Sequence, residues 1–215
     1  MDWVSERREM VERQIERRGI RDERVLAAML DIPREEFALE SARGHCYDDA
    51  PASIGYGQTI SQPYIVALMA QCLELTGKET VLEVGAGCGY HAAVLGALAA
   101  RVITIETIPE LAAMAKRNLE KTGYCRNVTV VRADGSQGWP GGAPYDAISV
   151  AAASAHVPPP LLAQLRSPGR MVIPVGDAWD QELRVLRKTE GKAVWRVATH
   201  CCFVPLRETA PRVAN

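Results

Sequence analysis

The chain predicts an α/β fold: a doubly wound, mostly parallel sheet of seven strands, preceded by a helical extension and closed by an antiparallel hairpin. Three observations predict it. From about residue 80 to residue 188, short apolar runs rich in β-branched residues alternate with helical segments. Alternating strand and helix units build parallel sheets covered on both faces. The first run, Val81-Leu82-Glu83-Val84, ends in glycines at alternate positions, Gly85, Gly87 and Gly89, and a helix-like segment follows at once. Near the other end, two alternating segments flank Glu190-Gly191-Lys192, a hairpin turn signal.

Taken in order, residues 3–18 carry Val4, Met10, Val11, Gln14 and Ile15 among dense Arg and Glu. They predict an exposed amphipathic helix with i,i+4 ion pairs, stopped at Gly19. Asp22 caps a second helix bearing Val25, Leu26 and Met29, which ends before Pro33. Residues 41–59 show little regular pattern. Their Tyr47, Pro51, Ile54, Tyr56 and three glycines predict an ordered loop over the sheet's active edge. Ser61, with Pro63 just inside, opens a helix to about Leu75. Strands follow at 81–84, at 101–105 ending in Glu106, at 127–132 before Ala133-Asp134-Gly135, and at 145–150. A helix around 161–165 precedes a fifth strand at 170–176, where Pro174 marks a strand end or bulge. Residues 182–188 and 193–204 form the closing hairpin. The chain therefore divides into an extension, 1–79, and a core, 80–215, packed as one globular unit; no repeat or low-complexity segment is visible.

Composition narrows the function classes. A chain of 215 residues can bury a full core. Its 25 basic and 26 acidic residues leave a net charge of −1, which advertises neither nucleic acid nor an anionic membrane as partner. There is no run of 18 apolar residues, and the N-terminus is charged rather than signal-like, which predicts a cytoplasmic protein. Six cysteines form no C-x-x-C pair and four histidines are scattered, so no metal is expected and the thiols are free. Cys201 and Cys202 are adjacent, and alternation in a strand would point them to opposite faces.

The glycine loop carries the chemistry. Its glycines permit a sharp turn and a close approach of backbone to a ligand, and the helix N-terminus behind it favours negative charge. Two nucleotide fingerprints fit poorly. A dinucleotide loop wants its third glycine at position 90, which is Tyr90, and a P-loop needs Gly-Lys-Ser/Thr. A glycine-rich turn that merely packs a strand against a helix is the bland alternative. Glu106 and Asp134, each after a later strand, strengthen the ligand reading, because ligands of open parallel sheets bind at the carboxyl ends of the strands. An ionised carboxylate at Glu106 can accept from both hydroxyls of a ribose. The pattern strand-Glu-x-Gly-x-Gly-x-Gly resembles motif I of the class I S-adenosylmethionine methyltransferases. That resemblance implies a Rossmann-like methyltransferase core in which Glu83, Gly85, Gly87, Gly89, Glu106, Asp134 and Gly135 bind S-adenosylmethionine, Asp134 through the adenine amino group.

The front segment sharpens the resemblance. Met10-Val11, Gln14-Ile15, Arg18-Gly19-Ile20, Arg24-Val25-Leu26, Ile32-Pro33-Arg34-Glu35 and above all Gly55-Tyr56-Gly57-Gln58-Thr59-Ile60-Ser61-Gln62-Pro63 resemble the protein-L-isoaspartate O-methyltransferases. Asp134-Gly135-Ser136, Gly138-Trp139-Pro140, Pro174-Val175-Gly176 and Phe203-Val204-Pro205-Leu206 continue the match along nearly the whole chain. The sequence departs from the family pattern at Cys88, at Ala151–Ala153 and at Cys202, where serine or threonine, a leading threonine and arginine are common.

The resemblance implies methyl transfer from S-adenosylmethionine to the free α-carboxylate of L-isoaspartyl, and also D-aspartyl, residues of damaged proteins, with repair through a succinimide. A carboxylate is already ionised at pH 7, so the reaction needs alignment rather than a general base. Ser61 is the expected catalytic residue, donating to one carboxylate oxygen; on spacing alone it equally fits a helix N-cap. Thr59 and Ile60 are weaker substrate-binding candidates, and Gln58 lines the same cradle. His91 is expected to cap or pack, and Trp139 and Tyr145 to be core aromatics. The expected partners are isoaspartyl proteins and peptides, with neither nucleic acid nor membrane, and the protein is expected to be a monomer. Two other readings stay open: an adaptor that binds cofactor without turnover, and a methyltransferase of small-molecule carboxylates or hydroxyls. Intact Thr59-Ile60-Ser61 speaks against the first, and the extended loop before Ser61 against the second.

Overall fold

The computed structural model describes residues 1–207. Its first helix, α1 (Trp3–Glu9), is capped by Asp2 and runs on through a π-helical turn at Met10–Ile15 and a 3-10 turn to Gly19 in the left-handed region (φ 96°). The wide turn places Met10, Val11 and Ile15 together in the core. The expectation of an exposed helix is therefore corrected. Glu9 and Arg13 form the expected surface pair at 2.7 Å, but Arg7 turns inward. Its guanidinium donates to Glu35 and to the Tyr47 hydroxyl at 2.9 Å, and Tyr47 in turn donates to Glu35. Burial, the largest influence on the Tyr47 phenol, pushes its pKa up.

In helix α2 (Glu23–Asp31), the Asp22 carboxylate accepts from the Arg24 and Val25 amides, as the sequence predicts. The stretch expected to lack regular pattern instead contains a 3-10 turn at Glu40–His45 and a small antiparallel hairpin, β1 (Ala52–Gly55) with β2 (Gln58–Ile60). Gly55, Tyr56 and Gly57 turn it with positive φ. Helix α3 (Pro63–Leu73) then begins at Pro63, with Gln62 rather than Ser61 at its cap and no side-chain capping bond. The N-cap reading of Ser61 is thereby removed.

The seven-stranded sheet comprises β3 (Thr80–Val84), β4 (Arg101–Glu106), β5 (Val128–Arg132), β6 (Tyr145–Val150), β7 (Leu165–Gly176), β8 (Gln181–Thr189) and β9 (Lys192–Cys201). Their order is β5-β4-β3-β6-β7-β8-β9. Only β8 runs against its neighbours. Helices α4 (Tyr90–Leu98), α5 (Pro109–Thr122) and α6 (Pro159–Gln164) connect the parallel strands. Pro174 lies within β7 near its end. Its carbonyl accepts from Ser154, and the ladder to β6 already stops at Val172, so its missing N–H breaks no β6–β7 bond.

The strand order reverses at β3: β4 and β5 lie on one side, β6 and β7 on the other. Such a switch point opens a crevice at the carboxyl ends of the strands. Side chains of β3 alternate across the sheet. Val81 joins a core shared with the front segment, α3 and α4, while Leu82 and Val84 join a second core with Tyr145, Leu161 and Met171. Tyr145 is a core aromatic, as expected, and its hydroxyl donates to the Trp139 carbonyl. Among the described residues, no helix is long and apolar enough to cross a membrane.

Candidate active site

The crevice above β3, β4 and β6 holds a cavity of about 800 Å³, part of it open to solvent. The glycine loop forms its floor. Gly85 and Ala86 amides both donate to the Ile105 carbonyl at 2.9 and 3.0 Å, which ties the loop to the end of β4. Gly89 has φ 92°, and a Cβ there would lie 3.1 Å from the Ala115 carbonyl of α5, so a larger residue fits neither the backbone nor the space. Cys88 is buried beneath the loop, which pushes its thiol up to about 11. Its carbonyl accepts from Asn118 at 2.9 Å. The departure from serine or threonine at this position therefore leaves the loop's backbone contacts in place.

Glu106 stands on the cavity wall, 6% exposed. One oxygen accepts from the Gly87 amide and the other from the Ile108 amide, each at 2.9 Å. The carboxylate thus organises the loop as well as facing the cavity. Gly135 also lines the cavity, against Val84, whereas Asp134 does not. The Asp134 carboxylate accepts from the Ser136 amide and hydroxyl at 2.9 and 2.8 Å and caps the following turn.

Glu83, like Asp134, stands back from the cavity lining. It lies behind the loop, fully buried and absent from the cavity wall. Its carboxylate accepts from the Thr104 hydroxyl and sits 3.3 Å from His91 Nδ1. His91 was expected to cap or pack. It does pack against Glu83, but it also lines the cavity, and its Nε2 has no hydrogen-bond partner among the described residues.

Gln58, Thr59, Ile60 and Ser61 form the opposite wall. A second cleft adjoins the first and shares Thr59, Ser61, Ala151 and Val204 with it; Pro51, His200, Cys201 and Cys202 are among its other lining residues. Ser61 therefore stands on the partition between the glycine-loop cavity and an adjoining groove. Sequence reasoning missed the contribution of Val204, Pro205 and Leu206 to the cavity wall. These residues are held there by Ala153, whose amide donates to Val204 at 2.8 Å and whose carbonyl accepts from Leu206 at 2.7 Å. The Phe-Val-Pro-Leu run was the available signal. Among the described residues no cluster of His, Cys, Asp or Glu is arranged to hold a metal ion.

Residues 5–210 match the family model described as protein-L-isoaspartate(D-aspartate) O-methyltransferase. The chain belongs to that family. It is similar to the protein-L-isoaspartate O-methyltransferases of Hyperthermus butylicus, at 49% identity over 95% of this chain and 90% of the relative, and of Methanoculleus marisnigri, at 51% over 94% and 91%. A solved protein-L-isoaspartate O-methyltransferase superposes with a TM-score of 0.83 at 29% identity, covering 94% of this chain but only 66% of that longer one. The Plasmodium falciparum structure described as a putative member, in complex with S-adenosyl-L-homocysteine, gives a TM-score of 0.79 at 25% identity, over 97% and 100% of the two chains. Membership in the isoaspartate methyltransferase family agrees with the sheet order, the glycine loop and the cleft beside Ser61.

Proposed function

We infer that the chain transfers the methyl group of S-adenosylmethionine to the α-carboxylate of L-isoaspartyl, and D-aspartyl, residues in damaged proteins, beginning their repair. The observation that carries this reading is the placement of Ser61 on the partition between the glycine-loop cavity and the adjoining groove. The cavity suits the cofactor by its lining, where the glycine loop, a carboxylate and apolar side chains meet. Its floor is left-handed backbone, and a carboxylate stands at its wall. Gly85, Gly87, Gly89 and Gly135 would hold the cofactor by backbone contact, Glu106 would accept from its ribose hydroxyls, and Asp134 from its adenine amino group. When bound, it supplies an electrophilic methyl group on a sulfonium.

The remaining work is alignment. Ser61 donates its hydroxyl to one oxygen of the substrate carboxylate and leaves the other to attack, while Thr59 and Ile60 shape the groove. No side chain needs to accept a proton, since a carboxylate with a pKa of about 4 is ionised at neutral pH. Holding the reacting atoms near contact supplies up to ~7–11 kcal/mol. The extension supplies Thr59, Ile60 and Ser61, and the core supplies the glycine loop, Glu106 and the groove side formed by His200–Val204. The same reading makes the protein a cytoplasmic monomer that needs neither nucleic acid nor membrane.

The test compares an isoaspartyl peptide with its aspartyl twin. The isoaspartyl backbone is one methylene longer, so a site that pins the peptide on both sides aims only one of the two carboxylates. A misplacement of roughly 1 Å costs about 10²-fold. Base-labile methyl ester is expected on the isoaspartyl peptide, decaying through a succinimide as the neighbouring amide nitrogen displaces methanol, with almost none on the twin. Equal methylation of both would refute the assignment.

A further inference from the structure

Arg34 is fully buried, at 0% exposure, in the 3-10 turn Arg34–Glu36. No ion pair joins it to a carboxylate among the described residues, although a desolvated cation without a counter-charge is costly. Its Nε donates to the Cys46 carbonyl at 2.6 Å and its Nη2 to the Ser61 carbonyl at 2.7 Å. The guanidinium also lies over the Tyr90 ring, 4.9 Å from the centroid, and Nη1 has no hydrogen-bond partner among the described residues. Its neighbour Glu35 is committed elsewhere, to Arg7 and Tyr47.

Those three contacts join three parts of the site. Cys46 belongs to the front segment, Ser61 to the partition, and Tyr90 to the first turn after the glycine loop, where it also lines the cavity. Water could satisfy two carbonyls. A guanidinium does more, because its planar fork fixes both in one geometry and its face packs on an aromatic ring. Ser61 is held on its other side too. Gln62 is kept extended (φ −47°, ψ 136°) by Pro63 at the start of α3, so the Ser61 main chain lies between a clamped carbonyl and a restricted successor. The Ser61 side chain itself makes no cap that would hold it in place.

We propose that Arg34 is a positioning residue for methyl transfer: it clamps the Ser61 carbonyl and thereby aims the Ser61 hydroxyl at the substrate carboxylate. The assignment rests on the role given to Ser61 above. It predicts that Arg34 acts through Ser61 and not through the cofactor.

The experiment is a double-mutant cycle of Arg34→Met and Ser61→Ala on the full chain, reading kcat and KM with an isoaspartyl peptide and the dissociation constant of S-adenosylhomocysteine. Arg34→Met is expected to lower kcat about 10–50-fold, with the S-adenosylhomocysteine constant changed by no more than about twofold. In the Ser61→Ala background the same substitution should lower kcat by no more than about twofold, because the group it aims is gone. Equal losses in both backgrounds would make Arg34 a general structural residue and overturn the proposal. So would a loss of cofactor affinity that accounts for the whole rate effect. If Arg34→Met fails to fold, Arg34→Lys serves the same cycle. Lysine keeps the charge but lacks the fork that spans both carbonyls, and its smaller loss should likewise vanish in Ser61→Ala. A wild-type protein that binds S-adenosylhomocysteine yet leaves the peptide unmethylated would overturn the functional reading and this assignment together. Normal wild-type turnover with an Arg34 effect independent of Ser61 would overturn this assignment alone.

Discussion

Replacing Glu106 separates two duties that its carboxylate performs at once. It accepts from the Gly87 and Ile108 amides, each at 2.9 Å, from a position only 6% exposed. Hydrogen bonds to a charged acceptor contribute ~1.5–3 kcal/mol each, and leaving a buried donor unmade costs about as much. Water entering the cavity would satisfy part of the loss in Glu106→Ala, so a destabilisation near ~1.5–3 kcal/mol in total is expected. For a chain of this size that lowers Tm by roughly 3–12 °C. The ribose contact is a separate loss of ~1.5–3 kcal/mol, or about 10–150-fold in the dissociation constant of S-adenosylhomocysteine. Glu106→Gln keeps the volume and one accepting oxygen and should show about half of each effect. Calorimetric titration and thermal melting on the same preparations measure the two losses independently. A lower Tm with unchanged affinity would confine Glu106 to the loop and refute the ribose contact. Weaker binding with an unchanged Tm would refute its role in organising the loop.

Ser61→Ala should lower methyl transfer ~10–100-fold, or about 1.4–2.7 kcal/mol in the barrier, with Tm unchanged because the side chain caps no helix; a falling Tm with intact turnover would sink the catalytic reading. Glu79 should make stability depend on acid. Burial works to raise its carboxyl pKa but is outweighed by the Thr76 hydroxyl and the Thr76, Gly77 and Lys78 amides, which hold it below its ordinary value of 4.5. A depressed carboxyl stabilises the fold above the unfolded pKa and loses that contribution as pH falls through the folded one. The Tm advantage of wild type over Glu79→Gln should therefore be full near pH 6–7 and shrink below about pH 4.5; a difference independent of pH would refute it. Thiol titration of the native protein with a disulfide reagent at about pH 8 should find Cys125 and Cys202 reactive. Cys46 and Cys88, buried and pushed up to about 11, should react only on unfolding; fast modification of either would refute their burial.

The sheet was legible because each of its strands is a local pattern: Val81–Val84 and Arg101–Glu106 declare themselves within a few residues. The glycine loop and Glu106 were legible for the same reason, since topology alone carries the ends of β3 and β4 to one crevice. Charges were misread wherever their partners lie far along the chain. Arg7 meets Glu35 and Tyr47 across 28 and 40 residues, and Arg34 meets Ser61 across 27, separations that no helical or strand period encodes. Glu83 was assigned to the cofactor because the motif contains it. Strand alternation puts it on the same side as Val81, against His91, and it is the imidazole rather than the carboxylate that reaches the cavity wall. The β1–β2 hairpin escaped notice because its strands of four and three residues are too short for alternation to be counted.

One apolar core runs without interruption from Met10, Val11 and Ile15, through Met29, Phe37 and Ile54, to Val81, Val94 and Val172 of the sheet and its helices. The two halves of the site therefore share a single folding free energy. Neither can melt without exposing the apolar surface of the other, so the chain should unfold in one cooperative step. Methyl-donor binding to the native state would shift that whole equilibrium by mass action. A lesion at Met29, which lines neither cleft, would depress apparent donor affinity through the folded population alone, and weak binding in a front-segment variant must be corrected for the fraction folded before any contact is assigned to it.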